Sequence, residues 1–203
     1  MNIFKICSSI PYGSNMYIVE CCGELMIIDP SETPQAIIGK YNIDIKKIRY
    51  IVLTHAHFDH ILALEDWVFK TGLIPCVSKQ EAGALRDPIR NCYAIFFGKN
   101  DGYFGDVIML DDGDKISLGD TCFSIIKSPG HTDGSICIYT DGHLFTGDTL
   151  FERGSVGRTD LPSGDQNALL TSISKLLEFP DETTVYPGHM GITSIKEIKP
   201  YHI

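Results

Sequence analysis

Residues 53–60 read LTHAHFDH. His55, His57, Asp59 and His60 crowd into this stretch, directly behind the apolar run Ile51-Val52-Leu53. Such crowding suits a metal ion, because neutral imidazole favours zinc or iron and carboxylates balance the charge. Backbone geometry divides the motif. Alternate residues of an extended segment point the same way, so His55 and His57 can address one metal. Asp59 and His60 come after the chain turns toward a helix at Ile61 and can reach a second point a few ångströms away. With 7 His and 17 Asp in 203 residues, the pattern HxHxDH arises by chance in roughly 7 of 10,000 such chains.

Three further residues can join this chemistry. His131 and His189 end the segments SPGH and YPGH, each a short apolar strand closed by Pro-Gly-His. Alone, either reads equally as a turn with a surface histidine; together with THAHFDH they suggest strand-end loops converging on one place. Asp148 ends HLFTGD. It reads either as an Asx-type turn or helix cap, or as a carboxylate bridging two metals. His143 and His202 lack such a context and are read as surface or structural.

The elements that must position these residues alternate in type. NIFKICSSI, NMYIVECC and ELMIID read as an antiparallel strand set. TPQAIIGKYN reads as a capped helix, and KIRYIVLT is a strand running straight into the histidine motif. HILALEDWVFKTG has helical spacing and stops at Gly72. LIPCVS is a short strand, and residues 79–104 read as an irregular helical excursion broken at Pro88 and Gly98. DKISLG, TCFSIIKS, SICIYT and HLFTGD are strands, the last two joined through an Asp141-Gly142 hairpin turn. QNALLTSISKLLEF is a helix, TTVYPGH a last strand, and SIKEIK a last short helix. Runs of strands with helices between them predict an α+β sandwich of two sheets covered by helices.

Composition sets limits. The chain is 43% apolar and 21% charged with a net charge of −9, a soluble globular composition of single-domain size. The acidic balance argues against a nucleic-acid partner. No apolar run approaches the ~20 residues that span a bilayer, so no membrane partner is expected. MNIFKICSSIPYGSN lacks the unbroken apolar segment of a secretory signal, and a cytoplasmic location is expected. The seven cysteines include no CxxC pair; buried free thiols of a cytosolic protein are the expectation.

Five segments in order, THAHFDH (54–60), SPGHTDGS (128–135), LFTGDTLF (144–151), GRTDLPSGD (157–165) and YPGH (186–189), carry a resemblance over nearly the whole chain. The sequence resembles the metallo-β-lactamase fold hydrolases and, within them, the glyoxalase II (hydroxyacylglutathione hydrolase) group. The resemblance implies an αββα sandwich of two mixed β-sheets flanked by helices. It implies that His55, His57 and His131 hold one divalent metal, that Asp59, His60 and His189 hold a second, and that Asp148 bridges them. Asp59 and Asp148 would then be the catalytic carboxylates. Zinc is the favoured metal, with iron or manganese open. The implied reaction is hydrolysis of a small-molecule acyl-thiol substrate, a thioester, attacked by a hydroxide bridging the two ions.

Departures from the pattern are local. Asp133 stands where the group usually has Pro, and Met190 follows His189 where Gly is frequent. The expected layout is a single metallo-hydrolase domain over 1–203, without the C-terminal helical glutathione-binding domain of many such thioesterases. Arg153, Arg158 and Tyr93 are the candidate substrate contacts, with Arg86, Arg90, Phe96, Phe97 and Tyr103 in the same possible pocket wall. The sequence leaves the oligomeric state open. A mononuclear-iron persulfide dioxygenase of the same fold is the alternative reading, and a non-catalytic or redox module the second alternative. A true β-lactamase is disfavoured by Asp148 and by the missing secretory signal.

Overall fold

The computed structural model describes residues 1–202. The first sheet is formed by β1 (Asn2–Cys7), β2 (Asn15–Cys21), β3 (Glu24–Ile28), β4 (Ile48–Val52), β5 (Cys76–Ser78) and β6 (Ile108–Leu110), in that spatial order. β1, β2 and β3 pair antiparallel, as the sequence predicts. β3 through β6 then run parallel. Parallel neighbours need crossovers, and these carry α1 (Pro34–Tyr41), α2 (Leu64–Thr71), α3 (Glu81–Ala84) and α4 (Tyr93–Phe97). The helix expected to begin at His60 starts at Leu64, because Phe58–His60 forms a 3-10 turn instead. Gly72 closes α2 in the left-handed conformation, as expected (φ 71°).

The second sheet mirrors the first. β7 (Lys115–Leu118), β8 (Thr121–Lys127), β9 (Ile136–Thr140), β10 (His143–Gly147), β11 (Thr184–Pro187) and β12 (Thr193–Ser194) lie in the order β12-β11-β10-β9-β8-β7. β10 and β11 are parallel, bridged by α5 (Gln166–Leu176), whose first turn is capped by the Asp165 carboxylate. The short α6 (Ile195–Ile198) follows β12.

Strand alternation sorts the core into layers. Along β2, Met16 and Ile18 pack with Ile27, Ile51 and the helix residue Trp67 on the outer face of the first sheet. Tyr17 and Val19 point the other way, joining Met26, Val52, Phe123, Ile138 and Phe145 between the sheets. Cys137, Leu144 and Val185 turn outward from the second sheet against Leu169, Ile173 and Leu176 of α5. Helix, sheet, sheet and helix are thus stacked in the predicted αββα order. Trp67 anchors the first helical layer: its ring is fully buried and its indole N–H donates to the Glu32 carbonyl at 2.7 Å.

The thiol expectation needs correction. Cys21, Cys76, Cys92 and Cys137 are buried and free, but Cys7, Cys22 and Cys122 are exposed and free. Cys22 falls in the β2–β3 turn at positive φ, where alternation no longer hides it. Among the described residues no helix is long and apolar enough to cross a membrane.

Candidate metal centre

Strand-end loops of both sheets meet at one edge of the sandwich. The chain leaving β4 stays extended through His57 (φ −61°, ψ 145°) before the turn at Phe58–His60. The rings of His55 and His57 stand 4.8 Å apart, and that of His131, from the loop after β8, lies 4.8 and 4.6 Å from them. The turn carries Asp59 and His60 to a second group with Asp148, after β10, and His189, after β11. Within each group, His55/His57/His131 and Asp59/His60/Asp148/His189, the candidate donor atoms lie within 4.8 Å of one another. All seven residues singled out in the sequence converge.

Hydrogen bonds connect the loops. The backbone N–H of Ser14 donates to the Asp59 carbonyl at 3.1 Å, that of Asn15 to the Gly188 carbonyl at 2.7 Å, and that of Ile136 to the Thr54 carbonyl at 3.0 Å. A Cβ placed on Gly188 would stand 2.2 Å from Asp148 Oδ1 and 2.6 Å from His60 Cε1. Only glycine lets the chain pass there.

Three of the imidazoles are held by their other nitrogen. His60 Nδ1 pairs with Asp29 Oδ2 at 2.9 Å, and His131 Nδ1 with the Arg158 carbonyl at 2.7 Å. His55 Nδ1 lies 3.2 Å from Thr54 Oγ1, which itself donates to Asp29 Oδ2 at 2.7 Å. Such contacts fix the ring orientation and tautomer of metal-binding histidines. They leave Nε2 of His55 and His60 buried without a hydrogen-bond partner, as is Oδ1 of Asp148. His57 Nδ1 and His131 Nε2 face each other at 2.9 Å, close to the roughly 3.3 Å between two nitrogens on a tetrahedral zinc. Buried orphan acceptors are costly. Unpaired nitrogens and oxygens aimed at common points fit a metal cluster in the donor chemistry of zinc, iron or manganese.

Electrostatics divides the two groups. Burial, reinforced by the neighbouring imidazoles, drives His55 well below the ordinary histidine value and His57 down to about 3. Both are therefore neutral lone-pair donors at physiological pH. His60 behaves oppositely: burial is outweighed by Asp148, Asp59 and Asp29, which hold it well above the ordinary value. His189 is likewise raised to about 9, burial being overcome by Asp148 and Asp59. The partners respond in kind. Burial alone would raise Asp148 and Asp59, but His60 and His189 draw both carboxyls down. The second group thus demands positive charge, whether protons or a cation.

A cavity of about 450 Å³ opens over the centre, lined by His57, Asp59, His131, Asp148 and His189 beneath Phe58, Phe96 and Phe151. Of the three residues assigned to substrate, Arg158 lines it. Arg153 does not: its side chain is 81% exposed beside Glu152 and lines a separate crevice. Tyr93 sits against Phe58 (5.7 Å between ring centroids) and borders another crevice near Asp101. Phe96 is the member of the predicted aromatic wall that reaches the cavity.

Sequence reasoning missed two carboxylates. Asp29 follows β3 as Asp148 follows β10, and the parallel between ELMIID and HLFTGD was the available signal. Glu81, in α3, accepts from the Ala56 N–H at 2.9 Å and the Gly134 N–H at 3.1 Å. It thereby pins the two loops that carry the three-histidine group. Burial pushes its carboxyl up. No local pattern marks it.

Residues 10–189 match the family model described as the metallo-β-lactamase superfamily. This chain belongs to that superfamily. It is 33% identical to a probable metallo-hydrolase of Streptococcus pyogenes, over 96% of this chain and 86% of the relative. Among solved structures it resembles the B3 metallo-β-lactamase BLEG-1, with a TM-score of 0.90 and 31% identity, over 99% of this chain and 98% of that one. It also resembles TTHA1623 in a di-iron-bound form, with a TM-score of 0.82 and 30% identity, over 97% and 96% of the two chains. ETHE1 from Myxococcus xanthus superposes with a TM-score of 0.76 at 26% identity, over all of this chain and 83% of that one. The superfamily's metallo-hydrolase character and the His/Asp cluster agree: the cluster fits a dinuclear metal site of this fold.

Proposed function

We propose that this protein is a metal-dependent hydrolase that cleaves a thioester, in the manner of the glyoxalase II group, with two divalent ions. The observation that carries the reading is the pair of donor groups, His55/His57/His131 and Asp59/His60/His189, with the Asp148 carboxylate between them: Asp148 Oδ1 is 3.2 Å from His60 Nε2, and Oδ2 is 3.6 Å from His131 Nε2 and 3.4 Å from His189 Nε2. Zinc is the first expectation for these donors, and the di-iron form of TTHA1623 supports iron as an occupant. When bound, such ions polarise an acyl carbonyl and supply an ionised water at neutral pH.

The chain's own residues do the rest. Asp29, Thr54 and the Arg158 carbonyl hold the imidazole lone pairs toward the centre. Phe58, Phe96 and Phe151 give the cavity an apolar wall. The Cys92 thiol also lines the cavity, but burial pushes it up to about 11, so it is no thiolate nucleophile at neutral pH. A departing thiolate needs little help from an acid.

The test is metal analysis of purified protein with assays on a thioester panel. Close to two metals per chain and turnover of S-lactoylglutathione or a similar thioester are expected, and Asp148→Ala should lose metal and activity together. Unchanged metal content in that variant refutes the bridging role. The likeness to ETHE1 supports a second reading, persulfide oxidation by a single iron. One iron per chain, with sulfite formed from glutathione persulfide and dioxygen, would establish it instead. The likeness to BLEG-1 adds a β-lactam to the panel.

A further inference from the structure

The cavity over the metal centre is aromatic in a way the ligand set does not require. Phe58, placed between His57 and Asp59 in sequence, stands 5.3 Å from Phe96 and 5.0 Å from Phe97. Phe97 in turn meets Tyr12 edge-on at 6.1 Å. Phe151 stands edge-on to His189 at 5.9 Å. Tyr12 and Phe96 remain 73% and 49% exposed although they line the cavity. Exposed aromatic surface clustered at the mouth of a cleft is the mark of a site for apolar groups.

Charge points the same way. Arg158 is the only lysine or arginine lining the cavity among the described residues. Its guanidinium is already engaged with Asp160 through two bonds of 2.7 Å. A glutathione thioester brings two carboxylates, one of them balanced by its own ammonium, into a chain of net charge −9. The unbalanced carboxylate would have to compete with Asp160 for the arginine.

We infer that the cavity selects a thioester whose acyl group ends in an aromatic or bulky apolar side chain, rather than a hydroxyacyl glutathione conjugate. This rests on the thioesterase reading of the same centre. Phe58, Phe96 and Phe151 take the acyl side chain while its carbonyl faces the ligand cluster, and Arg158 can meet at most one anionic group. Burying a phenyl ring that would otherwise face water favours binding by about tenfold or more.

The test separates binding from turnover. Metal-loaded protein is titrated calorimetrically with phenylacetate and with acetate, which share one carboxylate and differ by the ring. Phenylacetate should bind at least tenfold more tightly; Phe96→Ala should remove most of that ratio and Phe96→Leu only part of it. In turnover, S-phenylacetyl-N-acetylcysteamine should exceed S-lactoylglutathione in kcat/KM. Equal binding of the two acids, a ratio untouched in Phe96→Ala, or faster turnover of S-lactoylglutathione overturns the inference. If no thioester is cleaved but the binding ratio and its loss in Phe96→Ala persist, the apolar site stands and the thioesterase reading falls.

Discussion

Replacing Asp29 with Asn tests the claim that a buried carboxylate sets the metal-binding tautomer. Asp29 Oδ1 accepts from the Thr54 backbone N–H at 2.7 Å, and Oδ2 accepts from Thr54 Oγ1 at 2.7 Å and faces His60 Nδ1 at 2.9 Å. The backbone donor keeps the amide oxygen of an isosteric Asn on its own side. The amide NH₂ then faces Thr54 Oγ1 and His60 Nδ1. The Thr54 hydroxyl can rotate and accept. His60 cannot rotate, because its ring is fully buried between Asp29 and Asp148. Two donors would confront each other unless the imidazole moves its proton to Nε2, the atom its metal requires. Loss of such a partner weakens metal binding by about 10- to 100-fold, equivalent to about 1.4–2.7 kcal/mol. The readout is chelator competition on metal-loaded Asp29→Asn, with the second equivalent of metal released first. Wild-type affinity for both equivalents, with an unchanged Tm, would refute the argument that Asp29 dictates the His60 tautomer.

Other outcomes follow from named contacts. Glu81→Gln sets an amide N–H against one of the two N–H donors of Ala56 and Gly134, costing about 1–3 kcal/mol; denaturant unfolding should show it, and metal should leave the three-histidine group first. Gly188→Ala forces a methyl to within 2.2 Å of Asp148 Oδ1, and metal stoichiometry should fall below one per chain. The titration of the second group gives a pH signature in chelator-treated protein. The lowered Asp59 and Asp148 stabilise it above the ordinary carboxylate value, and that support is lost as pH falls through their folded values. The raised His189 stabilises it fully below the ordinary histidine value, and that support is lost as pH rises through about 9. Thermal melts from pH 5 to 10 should show an alkaline decline in chelated protein that metal-loaded protein lacks, since a bound cation replaces the proton; matching declines in both would refute the pairing.

Much of the centre is legible in sequence because its donors come in short motifs at strand ends. HxHxDH packs four of them into one turn of chain, and the two Pro-Gly-His loops repeat a recognisable form. Supporting groups are harder to read. Glu81 lies 25 residues from Ala56 and 53 from Gly134, so only the tertiary fold shows what it holds. Arg153 looked like a substrate contact from its place near Asp148, but its φ of 58° belongs to a backbone kink, and its side chain lies in solvent. Strand β6 escaped notice because Ile108 and Met109 are exposed at a sheet edge and show no inward-outward alternation.

The two donor groups have a mechanical meaning as well as a chemical one. His55 and His57 extend from the first sheet and His131 from the second; Asp59 and His60 extend from the first and Asp148 and His189 from the second. Any ion held by either group is therefore a cross-link between the halves of the sandwich, closing a loop of 74 residues between His57 and His131 and one of 130 between Asp59 and His189. Loops of that length are expensive to close in an unfolded chain. Metal at this edge would act like a pair of rivets, and a chelator would loosen the seam between the sheets as surely as it stopped the chemistry.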